Sequence, residues 1–206
     1  MLKLQQEPIY LDGPVGQLET LVIAPKDGVP RGIALIAHPN PLQGGTNTNK
    51  VVQTTARALS QHGYICYCPN LRGVGNSGGE HDYGQGEVDD AQAVVDYARA
   101  QHGDVPLVLA GFSFGSYVAA QLRQRIDARH LIMLGAAVSP KYAMPHVPAD
   151  TIVIHGEHDE VISLAQVLDW ARPQSLPVVV FPGVGHFFHG KLVLLQQYVQ
   201  RLVPSL

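Results

Sequence analysis

The sequence predicts a doubly wound α/β fold, in which a mostly parallel, twisted sheet is covered by helices on both faces. Apolar runs of strand length alternate along the chain with longer amphipathic stretches, which is typical of successive β–α units. Runs such as GIALIA and TIVIH are apolar at successive rather than alternate positions. This pattern indicates strands that are buried on both faces, as in a parallel sheet.

Length and composition favour one domain that spans residues 1–206. Hydrophobic residues make up 46% of the chain and charged residues 15%, so a full-sized core can form. The net charge is -3 and the basic residues are scattered, so we expect neither nucleic acid nor an anionic membrane as a partner. The first residues lack the apolar core of a secretory signal, and no apolar run is long enough to cross a bilayer. We therefore expect a cytoplasmic protein.

The first predicted element is an antiparallel hairpin, because residues 9–11 and 17–23 are strand-like runs on either side of the turn DGPVG. Apolar runs then predict further strands at residues 32–37, 64–69, 105–110, 131–134, 151–155 and 178–181. Amphipathic stretches between them predict helices at residues 47–61, 87–101, 114–125, 164–171 and 191–202. The two cysteines, Cys66 and Cys68, are poorly placed for a disulfide at i and i+2 of one strand, and we expect two small buried side chains.

A serine flanked by glycines stands where the strand at 105–110 gives way to a helix. Residues 111–115 read GFSFG and match the G-x-S-x-G pattern in a strand–turn–helix context. Such a sharp turn presents the central hydroxyl above the edge of the sheet, and the N–H groups that begin the helix favour a developing negative charge. We predict that Ser113 is a nucleophile. The alternative is a serine that only caps the helix.

A serine hydroxyl is unreactive unless a base contacts it and an acid orients the base. In this fold class both follow later strands, in the chain order serine, acid, histidine. After the strand at 151–155, the segment GEHDEV offers Asp159, Glu157 and Glu160. We predict Asp159 as the acid, because it is far enough past its strand to curl back over the sheet.

The base is expected in the segment PGVGHFFHG, which follows the strand at 178–181. We predict His186, because glycines before it let the loop turn inward, and we keep His189 as the alternative. Together with His155 and His158, these histidines raise the possibility of a metal site. Their spacing is not that of a helix-borne zinc motif, so we predict no metal and no cofactor.

The remaining requirement is an oxyanion hole, formed by two N–H groups that face the charge on the attacked carbonyl. One donor is expected from Phe114, the residue after the nucleophile. The other is expected from the loop after the strand at 32–37, which reads HPNPL. Its prolines have no N–H, so the backbone of Asn40 is the predicted donor. The alternative is a rigid turn without a catalytic role.

With these residues in place, the chain resembles the α/β-hydrolase superfamily over nearly its whole length, and within it the small lidless bacterial serine hydrolases. The stretches that carry the likeness are AHPNPLQGGTNTNKVV, PNLRGVGNSGGEHDYGQGEVDDA, GFSFGSYVA, HGEHDEVI and PGVGHFFHG. The resemblance implies a carboxylesterase-like hydrolase that cleaves a small acyl ester or thioester through an acyl-enzyme intermediate. Residues 135–150 are too few for the helical cap that larger relatives insert there, so we expect an open site without a cap domain.

Three other functions are compatible with the same sequence. A peptidase or an acyltransferase would use the same three side chains. A non-catalytic α/β-hydrolase-fold protein would bind a ligand or partner instead.

Overall fold

The computed structural model describes residues 8–206, which form one eight-stranded sheet with helices on both sides. The strands are β1 (Ile9–Gly13), β2 (Gly16–Ile23), β3 (Gly32–Ala37), β4 (Tyr64–Pro69), β5 (Leu107–Phe112), β6 (His130–Leu134), β7 (Ile152–Gly156) and β8 (Val178–Phe181). The helices are α1 (Lys50–Ser60), α2 (Gly86–His102), α3 (Phe114–Arg123), α4 (Leu164–Ala171) and α5 (Leu192–Leu202). The predicted fold class, including the hairpin, is confirmed.

The order of the strands is β1-β2-β4-β3-β5-β6-β7-β8. β1 pairs antiparallel with β2, and β2 with β4, whereas all the other pairs are parallel. After β3 the chain moves to one side of the sheet to form β4, and β5 returns to the other side of β3. The carboxyl ends of β3 and β5 therefore flank the topological switch point, where ligands bind in sheets of this type.

The core consists of two apolar layers, one on each face of the sheet. Side chains of α2, α3 and α4 pack on one face, and those of α1 and α5 pack on the other. Consecutive residues of β3 belong alternately to the two layers, with Leu35 in one and Ile36 in the other, and both are fully buried. This double burial explains the continuous apolar runs. Cys66 and Cys68 are free and buried in the α1–α5 layer, as predicted.

Most predicted boundaries lie within one or two residues of the observed ones, and two of the differences have a clear local cause. The helix predicted from residue 47 begins at Lys50, because the side chain of Asn49 accepts a hydrogen bond from the Val51 N–H and caps it. The strand predicted from residue 105 begins two residues later, at Leu107. Residue 106 is a proline, which has no N–H to donate to the sheet.

Within residues 8–206, no helical cap is inserted between β6 and β7, where it would cover the carboxyl edge of the sheet. Residues 135–151, between β6 and β7, form turns and no helix. In the part of the chain that the structure describes, no helix has the length and apolar character needed to cross a bilayer.

The long loop between β4 and α2 is fastened to α2 by buried carboxylates. Asp90 accepts hydrogen bonds from the backbone N–H and the guanidinium of Arg72, at 2.7 to 2.9 Å, and its side chain is fully buried. Glu87, also fully buried, accepts hydrogen bonds from the N–H groups of Asp82 and Gly84, each at 2.8 Å. These bonds satisfy the backbone of an irregular loop that has no sheet partner.

The two neighbouring acids Asp89 and Asp90 give a test of this fastening. We expect Asp90→Asn to lower the free energy of unfolding by about 3 kcal/mol, because it leaves the buried Arg72 guanidinium without its counter-charge. Asp89 pairs with Arg125 at 2.5 Å, but both side chains are about half exposed, so Asp89→Asn is expected to cost less than about 1 kcal/mol. Urea unfolding of both variants measures the difference. Equal losses would contradict a fastening role for Asp90.

Candidate active site

Ser113 occupies the tight turn between β5 and α3, at the switch point of the sheet. Its φ is 52° and its ψ is -122°, a strained conformation that costs a non-glycine residue about 1–3 kcal/mol. A Cβ atom at residue 111 would lie 2.0 Å from the Gly115 carbonyl oxygen, and one at residue 115 would lie 2.2 Å from the Ala37 carbonyl oxygen. Both glycines of the G-x-S-x-G pattern are therefore required by packing.

The turn is held by hydrogen bonds that do not involve the Ser113 hydroxyl. The Ser113 N–H donates to the Leu134 carbonyl at 2.9 Å. The Ser116 hydroxyl donates to the Ser113 carbonyl at 2.6 Å and accepts from the Ala137 N–H at 2.9 Å. The Ser113 side chain makes no capping hydrogen bond to α3, so the alternative of a capping serine does not account for its position.

Asp159 and His186 meet at the same edge of the sheet. His186 Nδ1 lies 2.7 Å from Asp159 Oδ2, and both side chains are buried. A carboxylate can only accept, so Nδ1 carries the proton and Nε2 of the neutral ring is left with its lone pair. The ring of Phe112 packs against the imidazole with a centroid separation of 4.9 Å. The geometry therefore fixes the tautomer that a general base needs.

The Asp159 carboxylate is also held by its own loop. Its Oδ1 accepts hydrogen bonds from the N–H groups of Val161 and Ile162, at 2.9 and 2.8 Å. Burial raises the pKa of Asp159, but the hydrogen bonds from His186 and from the Ile162 N–H outweigh burial and leave the pKa below its ordinary value. Asp159 is therefore an ionised partner for the histidine.

Behind Asp159 lies His155, whose part in the site the sequence analysis missed. This fully buried residue donates from Nε2 to the Ile162 carbonyl at 2.8 Å, and the same nitrogen lies 3.3 Å from Asp159 Oδ2. Burial lowers the pKa of His155, so the ring is neutral. The signal in the sequence was a histidine as the fourth residue before the predicted acid.

Asn40 and Phe114 lie across the switch point from each other, at the carboxyl ends of β3 and β5. Phe114 is the first residue of α3, where an N–H has no partner within the helix. Within residues 8–206, neither the Phe114 N–H nor the Asn40 N–H donates a hydrogen bond to another protein group. Both residues line one cavity with Ser113. The structure thus places the two predicted donors beside the predicted nucleophile.

The loop that carries Asn40 is anchored by His38, a second residue that the sequence analysis did not single out. His38 is fully buried, accepts a hydrogen bond from the Leu71 N–H at Nε2 and donates from Nδ1 to the Pro39 carbonyl. Burial lowers the pKa of His38 to about 4, so the ring stays neutral and keeps both bonds. The fixed tautomer links the HPNP loop to the end of β4.

Two cavities flank the Ser113 hydroxyl. One, of about 130 Å³, lies on the side of His186 and Phe187, and we call it the His186 cavity. The other, of about 180 Å³, extends past Phe114 to Lys141, and we call it the Lys141 cavity. No hydrogen bond joins the Ser113 hydroxyl to His186 Nε2 among the described residues. In the absence of substrate such catalytic hydrogen bonds are often long, and they tighten in the complex.

The alternative residues for acid and base have other roles. Glu160 accepts a hydrogen bond from the His186 N–H at 3.2 Å, and Glu157 accepts one from the Gly183 N–H at 2.7 Å, so both hold the histidine loop through its backbone. His158 and His189 are exposed. Within residues 8–206, no group of three or more His, Cys, Asp or Glu side chains is arranged to hold a metal ion.

The comparisons with known proteins agree on one family of hydrolases. Residues 29–149, more than half of the chain, match the family described as serine aminopeptidase, S33, in the hydrolases. The matched residues include Asn40, Ser113 and Phe114 and end before Asp159 and His186. An uncharacterized protein of Rickettsia prowazekii is 32% identical over 198 residues, which cover 89% of this chain and 82% of that protein.

Two solved structures match almost the entire chain. An α/β serine hydrolase homologue from Coxiella burnetii is 36% identical, with a TM-score of 0.89, over 98% of this chain and 99% of that one. An α/β serine hydrolase without a lid from Xanthomonas campestris is also 36% identical, with a TM-score of 0.90, over 98% of this chain and 95% of that one. The uncovered carboxyl edge of this sheet is thus similar to that of the Xanthomonas protein.

The buried neutral histidines predict a dependence of stability on pH. His38 takes up a proton at about pH 4 in the folded chain but at about 6.5 when unfolded, so the unfolded state binds more protons between these values. Stability is therefore expected to fall as the pH is lowered through this window, with His38 contributing about 3 kcal/mol. His155 acts in the same direction. Urea unfolding at several pH values measures the slope.

The control for this dependence is His38→Gln, which removes the titrating ring. We expect this variant to be less stable at neutral pH. Its free energy of unfolding should fall less steeply on acidification, with a slope that is smaller by about one proton. A slope equal to that of the unmodified protein would contradict the assignment to His38.

Proposed function

We propose that this chain, which belongs to the serine aminopeptidase S33 family of α/β serine hydrolases, cleaves carboxylic esters or thioesters with Ser113 as its nucleophile. The observation that carries the proposal is the shared wall of the His186 cavity. Ser113 and His186 both line that cavity, and the far side of the imidazole bonds to Asp159 at 2.7 Å. A hydroxyl, a correctly protonated base and an ionised acid are the parts that acyl transfer to serine needs.

In the first step, Ser113 Oγ attacks the carbonyl carbon of the ester while its proton passes to His186 Nε2. The negative charge that forms on the carbonyl oxygen is stabilised by hydrogen bonds donated by the N–H groups of Asn40 and Phe114, which have no other partner among the described residues. Asp159 stabilises the imidazolium that results. The intermediate collapses, the bond to the leaving oxygen breaks, and His186 returns its proton to that oxygen.

In the second step, water hydrolyses the acyl-enzyme. His186 Nε2 takes a proton from a water molecule while the oxygen of that water attacks the acyl carbon. The same two N–H groups donate hydrogen bonds to the oxyanion of the second intermediate. Collapse breaks the bond to Ser113 Oγ, to which His186 returns the proton, and the carboxylic acid leaves. The absence of a cap between β6 and β7 leaves the carboxyl edge of the sheet open to that water.

The family description names a peptidase, so aminopeptidase activity is the second candidate. An aminopeptidase acts beside a free α-amino group, which is a cation and favours a carboxylate in the binding site. Among the described residues, no Asp or Glu side chain lines the Lys141 cavity or the His186 cavity. This charge distribution supports an ester rather than a peptide with a free amino terminus as the substrate.

The nucleophile is tested with a fluorophosphonate probe. We expect one covalent adduct, which peptide mass spectrometry places on Ser113, and hydrolysis of p-nitrophenyl acetate that falls at least about 10³-fold in Ser113→Ala. Ser116→Ala is the matched control, since this serine lies in the same turn but its hydroxyl bonds to the backbone, and it should not lose the adduct.

Absence of labelling in folded protein would favour the non-catalytic binding alternative. Turnover of amino-acid anilides, with none of esters, would favour the aminopeptidase. If the acyl group of the ester is transferred to an added alcohol in preference to water, an acyltransferase would be favoured.

His155 is predicted to act as a positioning residue for Asp159. His155→Ala should lower kcat about tenfold with little change in KM, because it releases the Ile162 carbonyl and loosens the carboxylate that orients His186. His155→Gln retains a donor at the same distance along the side chain and should recover most of the rate. The exposed His158 gives the control, since His158→Ala should leave both constants unchanged. Equal kcat for the alanine and glutamine variants would contradict the role.

A further inference from the structure

The two cavities beside Ser113 would hold different parts of the substrate. His186 returns a proton to the leaving oxygen, so the leaving group must lie on the side of the imidazole, in the His186 cavity. The acyl chain extends to the other side of the attacked carbon. On the proposed function, the Lys141 cavity is therefore the acyl-binding side of the site.

The walls of the Lys141 cavity combine apolar side chains with one full charge. Phe114, Ala137, Val161 and Ile162 are apolar and can cover the methylene groups of an acyl chain. The neutral polar side chains that line it are those of Asn40, Gln43, Ser113, Ser139 and Tyr142. Among the described residues that line either cavity, Lys141 alone has a permanently charged side chain.

Lys141 is presented to this cavity by a tight turn. The turn runs from Ser139 to Tyr142, and the Tyr142 N–H donates to the Ser139 carbonyl at 3.1 Å. The Lys141 ammonium lies 5.5 Å from the centroid of the Tyr142 ring and 5.6 Å from that of Tyr83. Aromatic faces attract a cation without neutralising it.

No carboxylate of the described residues lies within ion-pair distance of the Lys141 ammonium. Lys141 is exposed and its ammonium lies near both rings, so its charge and its three N–H donors stay available to a ligand. The described residues thus place a cation beside this cavity without a counter-ion.

We propose that the Lys141 cavity is an acyl subsite for chains that end in a carboxylate, so that the preferred substrates are half-esters of short dicarboxylic acids. This inference rests on the proposed function and specifies its substrate class. A volume of about 180 Å³ holds about six non-hydrogen atoms, at the ~30 Å³ that a water molecule occupies in the liquid. A succinyl or glutaryl chain is of that size, with its carboxylate at the Lys141 end.

The test compares two ethyl esters of the same shape. One is the monoethyl ester of glutaric acid, and the other is the monoamide in which a neutral amide replaces the free carboxylate. Release of ethanol gives kcat/KM for each, and the ratio of the two values is the readout. We expect the unmodified enzyme to favour the acid about five- to tenfold, the size of a partly exposed charge-assisted interaction.

The variants remove or reverse the charge while keeping the stem of the side chain. Lys141→Met should bring the ratio to about one, and Lys141→Glu should invert it. Lys26→Met is the matched control, because Lys26 is exposed and follows the end of β2, beside the amino end of β4, at the edge of the sheet opposite to Ser113. It should leave the ratio unchanged, and added salt should reduce the ratio of the unmodified enzyme.

A ratio of one in the unmodified enzyme, or a preference that survives Lys141→Met, would overturn the subsite. If the amide ester is hydrolysed and Ser113 is labelled in that case, the proposed function still stands. If neither ester is hydrolysed and Ser113 is not labelled, the proposed function and the subsite fall together.

Discussion

The close approach of β3, β5 and α3 is the constraint on which the rest of this structure depends. No side chain fits at residue 111 or 115, because a Cβ atom at either would lie 2.0–2.2 Å from a backbone oxygen. This contact forces Ser113 into a positive φ and turns its hydroxyl away from α3. Phe114 follows as the first residue of α3, so its N–H has no partner within the helix. Sheet packing thus positions both the predicted nucleophile and one of the two predicted oxyanion donors.

Around this turn, the environment of three buried side chains determines whether each is charged or neutral. Asp159 is held ionised by hydrogen bonds that outweigh its burial, and His38 and His155 are held neutral by burial. Unpaired polar groups in such a setting are costly, whereas satisfied ones orient their neighbours. The charge states of these side chains and the hydrogen bonds that hold their loops are therefore linked.

The sequence predicted the parts of this arrangement that depend on local pattern. Alternating apolar runs predicted the strands and helices, and the loops that follow three of the strands predicted where Ser113, Asp159 and His186 would gather. One helix start, that of α1, was predicted three residues too early, because several polar residues before Lys50 could serve as its cap.

Side chains that act through distant backbone groups were missed. His38 bonds to Leu71, which is 33 residues away, and the rings beside Lys141 come partly from the loop that contains Tyr83. Contacts of this range have no periodic signal along the chain. Predicting them requires the order in which the strands pair, because that order determines which loops are neighbours.

The way in which Asp159 is held has a consequence for folding. Its backbone donors, Val161 and Ile162, and the nearby His155 all lie within four residues of it along the chain. Short loops close at small entropic cost, so these local contacts need little ordering of the chain beyond β7 itself. His186 must arrive from 27 residues away, after β8 has added to the edge of the sheet. The loop that carries Asp159 is also bonded to the last strand and the turn after it, because the N–H groups of Glu157 and His158 donate to the carbonyls of Phe181 and Val184. The positions of Asp159 and His186 therefore both depend on the docking of β8.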